Sequence, residues 1–458
     1  MKNISKIISI LFLGFSLLLL SYVIYRSEFY HSGLKSDYYL KYYIFSISLV
    51  ILGIISFFLK EEFKIKTTIV FVSVILGLYL IEIYFFIDSR QFRIWRSGID
   101  YDFRAEIEFY IDKKNEIKNL STITPPQNFI KKDNQIIFPL SGISNKKTIL
   151  CNEHGYFPIY DSDRYGFNNP DSEWDKEEIE YLLTGDSFAH GYCVNTPNSI
   201  AGNLRKFSNG KGTITLGQIG NGSLIEYASL REYLPIVKTK RVLWLYFEAD
   251  DVLGNYFQGL KQELKNKTLL KYLEDPSFSQ NLHLRQDEID LIVKQELDKQ
   301  EKSHDSGRTY ENFKYSLSKF IKLFSLRRFI NSTIKIFLGK TLNTVQTINP
   351  EFKKIIKQAK NFSDQNNAEF YFIYLPETAR FRMRSKNIEN FNDYKKVINY
   401  VSSLNIPIID VHKEIFQKHK DPLSLYPWRS DVHYTVEGYK LVSELIKKKI
   451  DEYEGYKN

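Results

Sequence analysis

Tyr181-Leu182-Leu183-Thr184-Gly185-Asp186-Ser187-Phe188-Ala189-His190-Gly191 is the stretch whose reading decides the fold. The apolar run from Ile179 to Leu183 reads as a buried strand, and it stops at Gly185. A serine follows, and a helical pattern then opens with Ile200, Leu204 and Phe207. A serine at such a strand-to-helix turn sits at the carboxyl end of a parallel strand, where open α/β sheets bind ligands. Its hydroxyl shares that space with the first amides of the helix, an arrangement that suits a nucleophile and part of an oxyanion site. A second reading stands beside it: Ser187 merely caps the helix, with Asp186 helping.

Outward from this point, short apolar runs alternate with helical patterns. The expected strands are Ile179 to Thr184, Thr213 to Leu216, Val242 to Phe247, Phe370 to Leu375 and Ile406 to Val411. That alternation implies a parallel sheet flanked by helices, an α/β fold. Residues 256–345 interrupt it with a lysine-rich, helix-prone insertion that reads as a helical cap or lid, broken near Lys302 to Gly307. A helix from Val436 to Tyr453 closes the chain.

Upstream, residues 90–175 read as a connector and a small irregular lobe. A helix is expected over Phe103 to Ile117, broken by Pro125-Pro126, and short strands over Gln135 to Leu140, Thr148 to Cys151 and Tyr156 to Tyr160. Asp161-Ser162-Asp163-Arg164-Tyr165-Gly166 begins like a calcium loop, but Tyr165 and Ser172 stand at ligand positions, so it reads as a turn.

Residues 1–89 are of another kind. Ile7 to Tyr25, Tyr42 to Leu59 and Thr68 to Ile87 are apolar runs with Glu82 as the one charged residue among them. Each is long enough to cross a hydrocarbon layer of roughly 30 Å as a helix. Lys2 and Lys6 precede the first run, but no small-residue cleavage site follows it, so it reads as an anchor. Lys2, Lys6, Lys60, Lys64 and Lys66 place the N-terminus inside, while Arg90, Arg93 and Arg96 pull the other way. Three spans with the N-terminus inside put the large C-terminal part outside the cytoplasm, in a multi-pass protein of the cytoplasmic (inner) membrane.

The chain carries a net charge of +9 and two cysteines. Cys151 and Cys193 are allowed a disulfide in an oxidising compartment, or they are two buried thiols. Neither has the spacing of a metal ligand set. Seven basic residues and no acidic one lie between Lys314 and Lys340, with Phe313, Leu317, Phe320 and Phe324 at helical spacing. Such a helix can lie on an anionic membrane surface or pack on its own domain with a solvated basic face. No nucleic-acid motif accompanies the charge, so no such partner is expected.

A nucleophilic serine needs a base. His190 follows Ser187 too closely on the same helix to turn back on it. His433 stands in a loop before the final helix, with Asp431 two residues earlier. On an extended segment residues i and i+2 face one side, so Asp431 is expected to accept from one ring nitrogen and leave the other free for a serine proton.

Gly185-Asp186-Ser187 after the first strand, Gly220 after the second, Glu248-Ala249-Asp250-Asp251 after the third and Asp431-x-His433 before the last helix resemble the four blocks of the SGNH (GDSL) hydrolase family. The segment from Tyr160 through Asn168-Asn169-Pro170 is similar to one in membrane-anchored bacterial members. The resemblance covers about residues 176–455. It implies a flavodoxin-like α/β/α three-layer domain with a five-stranded parallel sheet, and ester hydrolysis or acyl transfer through an acyl-serine. The family's substrates are often acylated carbohydrates and lipids, and the resemblance implies no metal or organic cofactor. Carried over by position, Ser187 is the nucleophile, His433 the base and Asp431 its orienting acid; Ser187 and Gly220 supply oxyanion amides. Asp250 occupies the place of the family's asparagine, the third oxyanion donor. An ionised carboxylate cannot donate, and three outcomes stay open: Asp250 is protonated, Asn221 or Asn255 replaces it, or the enzyme is slow or altered.

The function expected is a membrane-anchored serine esterase acting on ester-linked acyl groups of cell-surface carbohydrate or lipid. The alternatives are an O-acyltransferase of surface polysaccharide served by a membrane acyl-donor partner, and an inactive binding or assembly module.

Overall fold

A computed structural model describes residues 2–132, 136–248, 259–304, 318–337, 348–382 and 392–455. The chain forms two compact units. One comprises Met1–Asp88 and Tyr315–Ile334; the other comprises Ser89–Lys314 and Lys335–Asn458.

In the first unit, three helices are long and apolar enough to cross a membrane: Asn3–Tyr30, Ser36–Ser56 and Glu61–Ile87. Large apolar side chains are exposed along all three, among them Leu11, Phe15, Leu18, Phe45, Phe71 and Leu76. Polar groups turn inward instead: Lys64 Nζ donates to Ser9 Oγ at 3.4 Å, and Ser9 Oγ donates to the Ser56 carbonyl at 3.3 Å. A polar group that turns inward finds a partner that lipid cannot supply. The expected anchor therefore gains a piece of the insertion, residues 315–334, which sequence order alone assigns to the catalytic part.

The second unit is built on two sheets. The smaller has three strands, β1 (Leu120–Thr122), β2 (Lys147–Ile149) and β3 (Ile159–Asp161), in the order β1-β2-β3. Here the structure departs from the expectation. Residues 136–140 form no strand; the Phe138 backbone is met instead by the Gln280 carboxamide, which accepts from its N–H at 2.7 Å and donates to its carbonyl at 3.2 Å. A side chain that mimics a ladder partner removes the need for a strand. The connector helix is shorter than expected, Glu106–Lys113.

The larger sheet has five strands: β4 (Ile179–Gly185), β5 (Gly212–Thr215), β6 (Thr239–Phe247), β7 (Glu369–Leu375) and β8 (Ile408–Asp410). The order is β5-β4-β6-β7-β8 and every pairing is parallel. Counted within this sheet the order is 2-1-3-4-5, that of flavodoxin-like doubly wound folds. All five expected strands are present. Their near-continuous apolar runs follow from burial on both faces. Leu182, Val242, Trp244, Tyr246 and Phe372 face one layer, with the helices Ser223–Tyr233 and Pro350–Gln365. Leu183, Leu243, Leu245 and Ile373 face the other, with the helices Ile200–Phe207 and Val436–Gly455.

The first half of the insertion packs on this domain. Glu232, buried on the Ser223–Tyr233 helix, accepts from Tyr272 Oη at 2.5 Å, Gln280 N at 2.7 Å and Leu282 N at 2.9 Å. Glu263 reaches the start of the same helix and accepts from the amides of Gly222, Leu224 and Ile225. These are orphan amides of a helix N-terminus, which need such partners. Burial pushes the Glu263 carboxyl up to about 7, against those bonds.

Candidate active site

The turn after β4 is made by Gly185, whose φ is +154°. A Cβ there would stand 2.8 Å from the Leu245 carbonyl and 3.0 Å from the Ala189 methyl. Only glycine lets the chain leave the sheet this close to its neighbour. Asp186 then caps the short Ser187–His190 helix, its Oδ1 accepting from Phe188 N at 2.9 Å. The capping role considered for Ser187 belongs to Asp186, and the serine hydroxyl is released for another partner.

That partner is His433. Its Nε2 lies 2.8 Å from Ser187 Oγ. The two residues are 246 positions apart, and two aromatic anchors bring them together. Tyr434, fully buried beside His433, packs its ring 4.7 Å from Phe188 and donates its hydroxyl to the Pro376 carbonyl at 3.0 Å. Phe188 in turn packs 5.2 Å from the His433 ring, and Tyr192 meets that ring edge-on at 5.3 Å.

The other ring nitrogen, Nδ1, is 2.9 Å from Glu153 Oε1, and the His433 amide donates to Glu153 Oε2 at 3.2 Å. One carboxylate thus holds both the ring and the backbone of the same residue. The carboxylate fixes the tautomer: Nδ1 carries the proton and Nε2 accepts from the serine. Burial pushes the Glu153 carboxyl up, but the charge of His433 and the two hydrogen bonds from it outweigh burial, and the carboxyl is held below its ordinary range.

Asp431 stands elsewhere than expected. Its oxygens lie 2.7 and 2.8 Å from Arg90 Nε, and its backbone carbonyl accepts from Thr378 Oγ1. The chain bends at Val432 and His433, so the i, i+2 relation of an extended segment does not hold. Burial, then the nearby charge of Glu153, pushes the Asp431 carboxyl up to about 6 despite Arg90. Arg90 also donates to Tyr101 Oη, whose hydroxyl donates to the Asn152 carbonyl at 2.5 Å. Asp431 therefore belongs to a second layer of charge behind Glu153.

Sequence reasoning missed Glu153, yet a signal was there. Cys151 and Cys193 form a disulfide with their Cα atoms 4.8 Å apart. Cys193 is six residues past Ser187, and Glu153 is two residues past Cys151; a bridge between those cysteines carries an acidic residue to the serine. Trp428 completes the clamp by donating Nε1–H to the Glu153 carbonyl at 2.7 Å. Cys151, Glu153, Cys193 and His433 place donor atoms within 4.8 Å of one another. With the sulfurs bonded to each other, the cluster offers one carboxylate and one imidazole, already paired.

His190 faces away from the serine. It is fully buried, its Nε2 lies 3.3 Å from Tyr160 Oη, and burial pushes its pKa down to about 3. Asp163 anchors the segment that follows Tyr160, accepting from the amides of Tyr165 and Phe167 and from Asn169 Nδ2 and Trp174 Nε1. The expected turn is thus held by one buried carboxylate, and Asn168 Nδ2 ties it to the His190 carbonyl at 2.8 Å.

Gly220 sits in the loop after β5 with φ +71°. Its carbonyl accepts from Gln127 Nε2. Asn221 is buried, with Nδ2 3.5 Å from the Gly185 carbonyl. Asp250 and Asn255 lie outside the described residues. Glu248, at the end of β6, is held by Arg380 and Tyr374 and accepts from the Glu377 amide at 2.7 Å.

Three solved structures are similar to this chain. One, from Desulfitobacterium hafniense DCB-2, is described as a lipolytic protein of the G-D-S-L family; identity is 15%, coverage 59% of this chain and 99% of that one, and the TM-score 0.32. The second is a lipase/acylhydrolase from Enterococcus faecalis, with 12% identity, coverage of 60% and 96%, and a TM-score of 0.33. The third is a GDSL-like lipase from Bacteroides thetaiotaomicron VPI-5482, with 12% identity, coverage of 62% and 91%, and a TM-score of 0.29. No family model matches the sequence, and no curated protein matches it.

Proposed function

We propose that the chain is a serine acyl hydrolase of the SGNH (GDSL) type, tethered to a membrane, that cleaves ester-linked acyl groups. The observation that carries this reading is the relay Ser187 Oγ, His433 and Glu153, joined at 2.8 and 2.9 Å. His433 Nε2 takes the serine proton as Oγ attacks the ester carbon, and Glu153 stabilises the imidazolium that forms. The tetrahedral oxyanion is met by the amides of Ser187 and Gly220. His433 then gives its proton to the departing alcohol, leaving an acyl group on Ser187. A water activated by His433 hydrolyses that ester; a sugar hydroxyl in the same place would make the reaction a transfer.

The Cys151–Cys193 disulfide supports placing the catalytic part in an oxidising compartment, outside the cytoplasm. Acylated surface carbohydrate or lipid is the substrate class that such a location offers.

The test uses the full chain in detergent. Ser187 should be labelled by a serine-directed fluorophosphonate, and hydrolysis of a short-chain aryl ester should fall at least about 10³-fold in Ser187→Ala. A Ser187→Ala protein as active as the parent would end this assignment.

A further inference from the structure

The Phe324–Phe337 helix is tied to the last turns of the third apolar helix. Glu82, buried on Glu61–Ile87, accepts from Ser325 N at 3.0 Å through Oε1 and from Leu326 N at 2.9 Å through Oε2. Tyr79 Oη donates to the Ile321 carbonyl at 2.9 Å. The rings of Phe85 and Phe329 lie 5.3 Å apart. The one charged residue in that apolar run thus serves as the N-cap of a second helix, whose amides favour a negative charge.

The helix is two-sided. Leu326, Phe329 and Ile330 stand at i, i+3 and i+4 on one side; Arg327, Arg328 and Asn331 share the other. Leu326 is buried, but Ile330 is 43% and Phe329 53% exposed, and Ile321 just before the helix is 58% exposed. Lys322, Arg327 and Arg328 are exposed as well. No acidic residue occurs from Lys314 to Lys340.

Depth decides what covers this face. Glu82 is five residues before the end of its helix at Ile87, about 7 Å along the axis. Helices that lie in a membrane interface sit with their apolar side about 5–10 Å into the headgroup–acyl boundary. The exposed apolar side lies next to the third apolar helix, which Phe329 meets through Phe85, and the basic side matches lipid phosphates.

We propose that the Phe324–Phe337 helix lies flat in the headgroup–acyl boundary of an anionic phospholipid bilayer, with Ile330 inward and Arg327 and Arg328 on the phosphates. The insertion would then bind the membrane surface through its second half, independently of the chemistry at Ser187.

The experiment uses the full chain in nanodiscs. Both native cysteines are in the disulfide, so a single introduced cysteine takes an environment-sensitive fluorophore cleanly. Ile330→Cys and Asn331→Cys are compared for quenching by shallow doxyl-labelled lipid. In phosphatidylglycerol nanodiscs, quenching at 330 should exceed that at 331 by about twofold or more. Pure phosphatidylcholine, or Arg327→Glu with Arg328→Glu, should at least roughly halve quenching at 330. Equal quenching at the two positions overturns the proposal. So does the absence of lipid quenching at both, which would mean that protein covers the helix. Quenching at 330 that ignores phosphatidylglycerol also overturns it, and that comparison needs no charge variant to fold.

Discussion

His433 Nδ1 lies 2.9 Å from Glu153 Oε1, across 280 positions of sequence. Asp431, two residues from the same histidine, holds Arg90 instead.

Removing the Glu153 charge should therefore cost far more than removing that of Asp431. Glu153→Gln frees the ring to choose the wrong tautomer, and kcat should fall about 10²–10⁴-fold with KM nearly unchanged. Asp431→Asn, whose carboxylate is paired with Arg90, should lower kcat less than about tenfold. Ester hydrolysis by the two purified variants checks this. If Asp431→Asn were the worse of the two, the orienting role would return to Asp431.

The Cys151–Cys193 bridge closes a loop of 42 positions, which loop entropy values at about 4 kcal/mol. Cys151→Ser with Cys193→Ser should lower the apparent Tm by several degrees. At temperatures where the variant stays folded, kcat should also fall, because the bridge ties the Glu153 loop to the strand–turn that carries Ser187. A destabilised variant with unchanged kcat would show that the bridge does not position Glu153.

Gly185→Ala places a methyl against the Leu245 carbonyl and Ala189. It should destabilise by about 2 kcal/mol or more and lower kcat, since Asp186 and Ser187 follow directly. Gly210→Ala is the control. Its φ is +83° with nothing within 4 Å of an added Cβ, so it should cost about 1 kcal/mol and leave kcat alone. Denaturant melts and rates on both variants separate crowding from backbone strain.

Glu263 should make stability fall as pH rises. Its folded pKa of about 7 lies above its ordinary 4.5, so the folded state binds the proton more tightly. The stability linked to that proton is fully present below about 4.5, is lost between about 4.5 and 7, and amounts to about 3 kcal/mol. Glu263→Gln should flatten that part of the profile and run parallel to the parent above pH 7. Thermal melts across that range read it directly; a parent and variant parallel from pH 4.5 to 7 would refute the shift.

The sheet was legible because its strands are apolar runs of ordinary length, broken by turns, and burial on two faces writes itself into composition. Ser187 and His433 were legible as candidates because each stands at a loop where a strand or helix pattern breaks. The short strand at Leu120–Thr122 was not, since three residues carry no periodicity. Residues 136–140 looked like a strand for the converse reason: apolar residues are buried there, but Gln280 supplies their hydrogen bonds.

The sequence by itself determined the apolar helices, the parallel sheet and the turn that exposes a serine, because these depend on the character of neighbouring residues along the chain. Only the tertiary structure decided which carboxylate meets His433, and that part of the insertion belongs to the unit of the three apolar helices. Both depend on pairs of side chains brought together by loop closure across 280 and about 240 positions. A local pattern such as Asp-x-His names a carboxylate that is near in sequence; one bend at Val432 turns it away, and a disulfide carries another into its place.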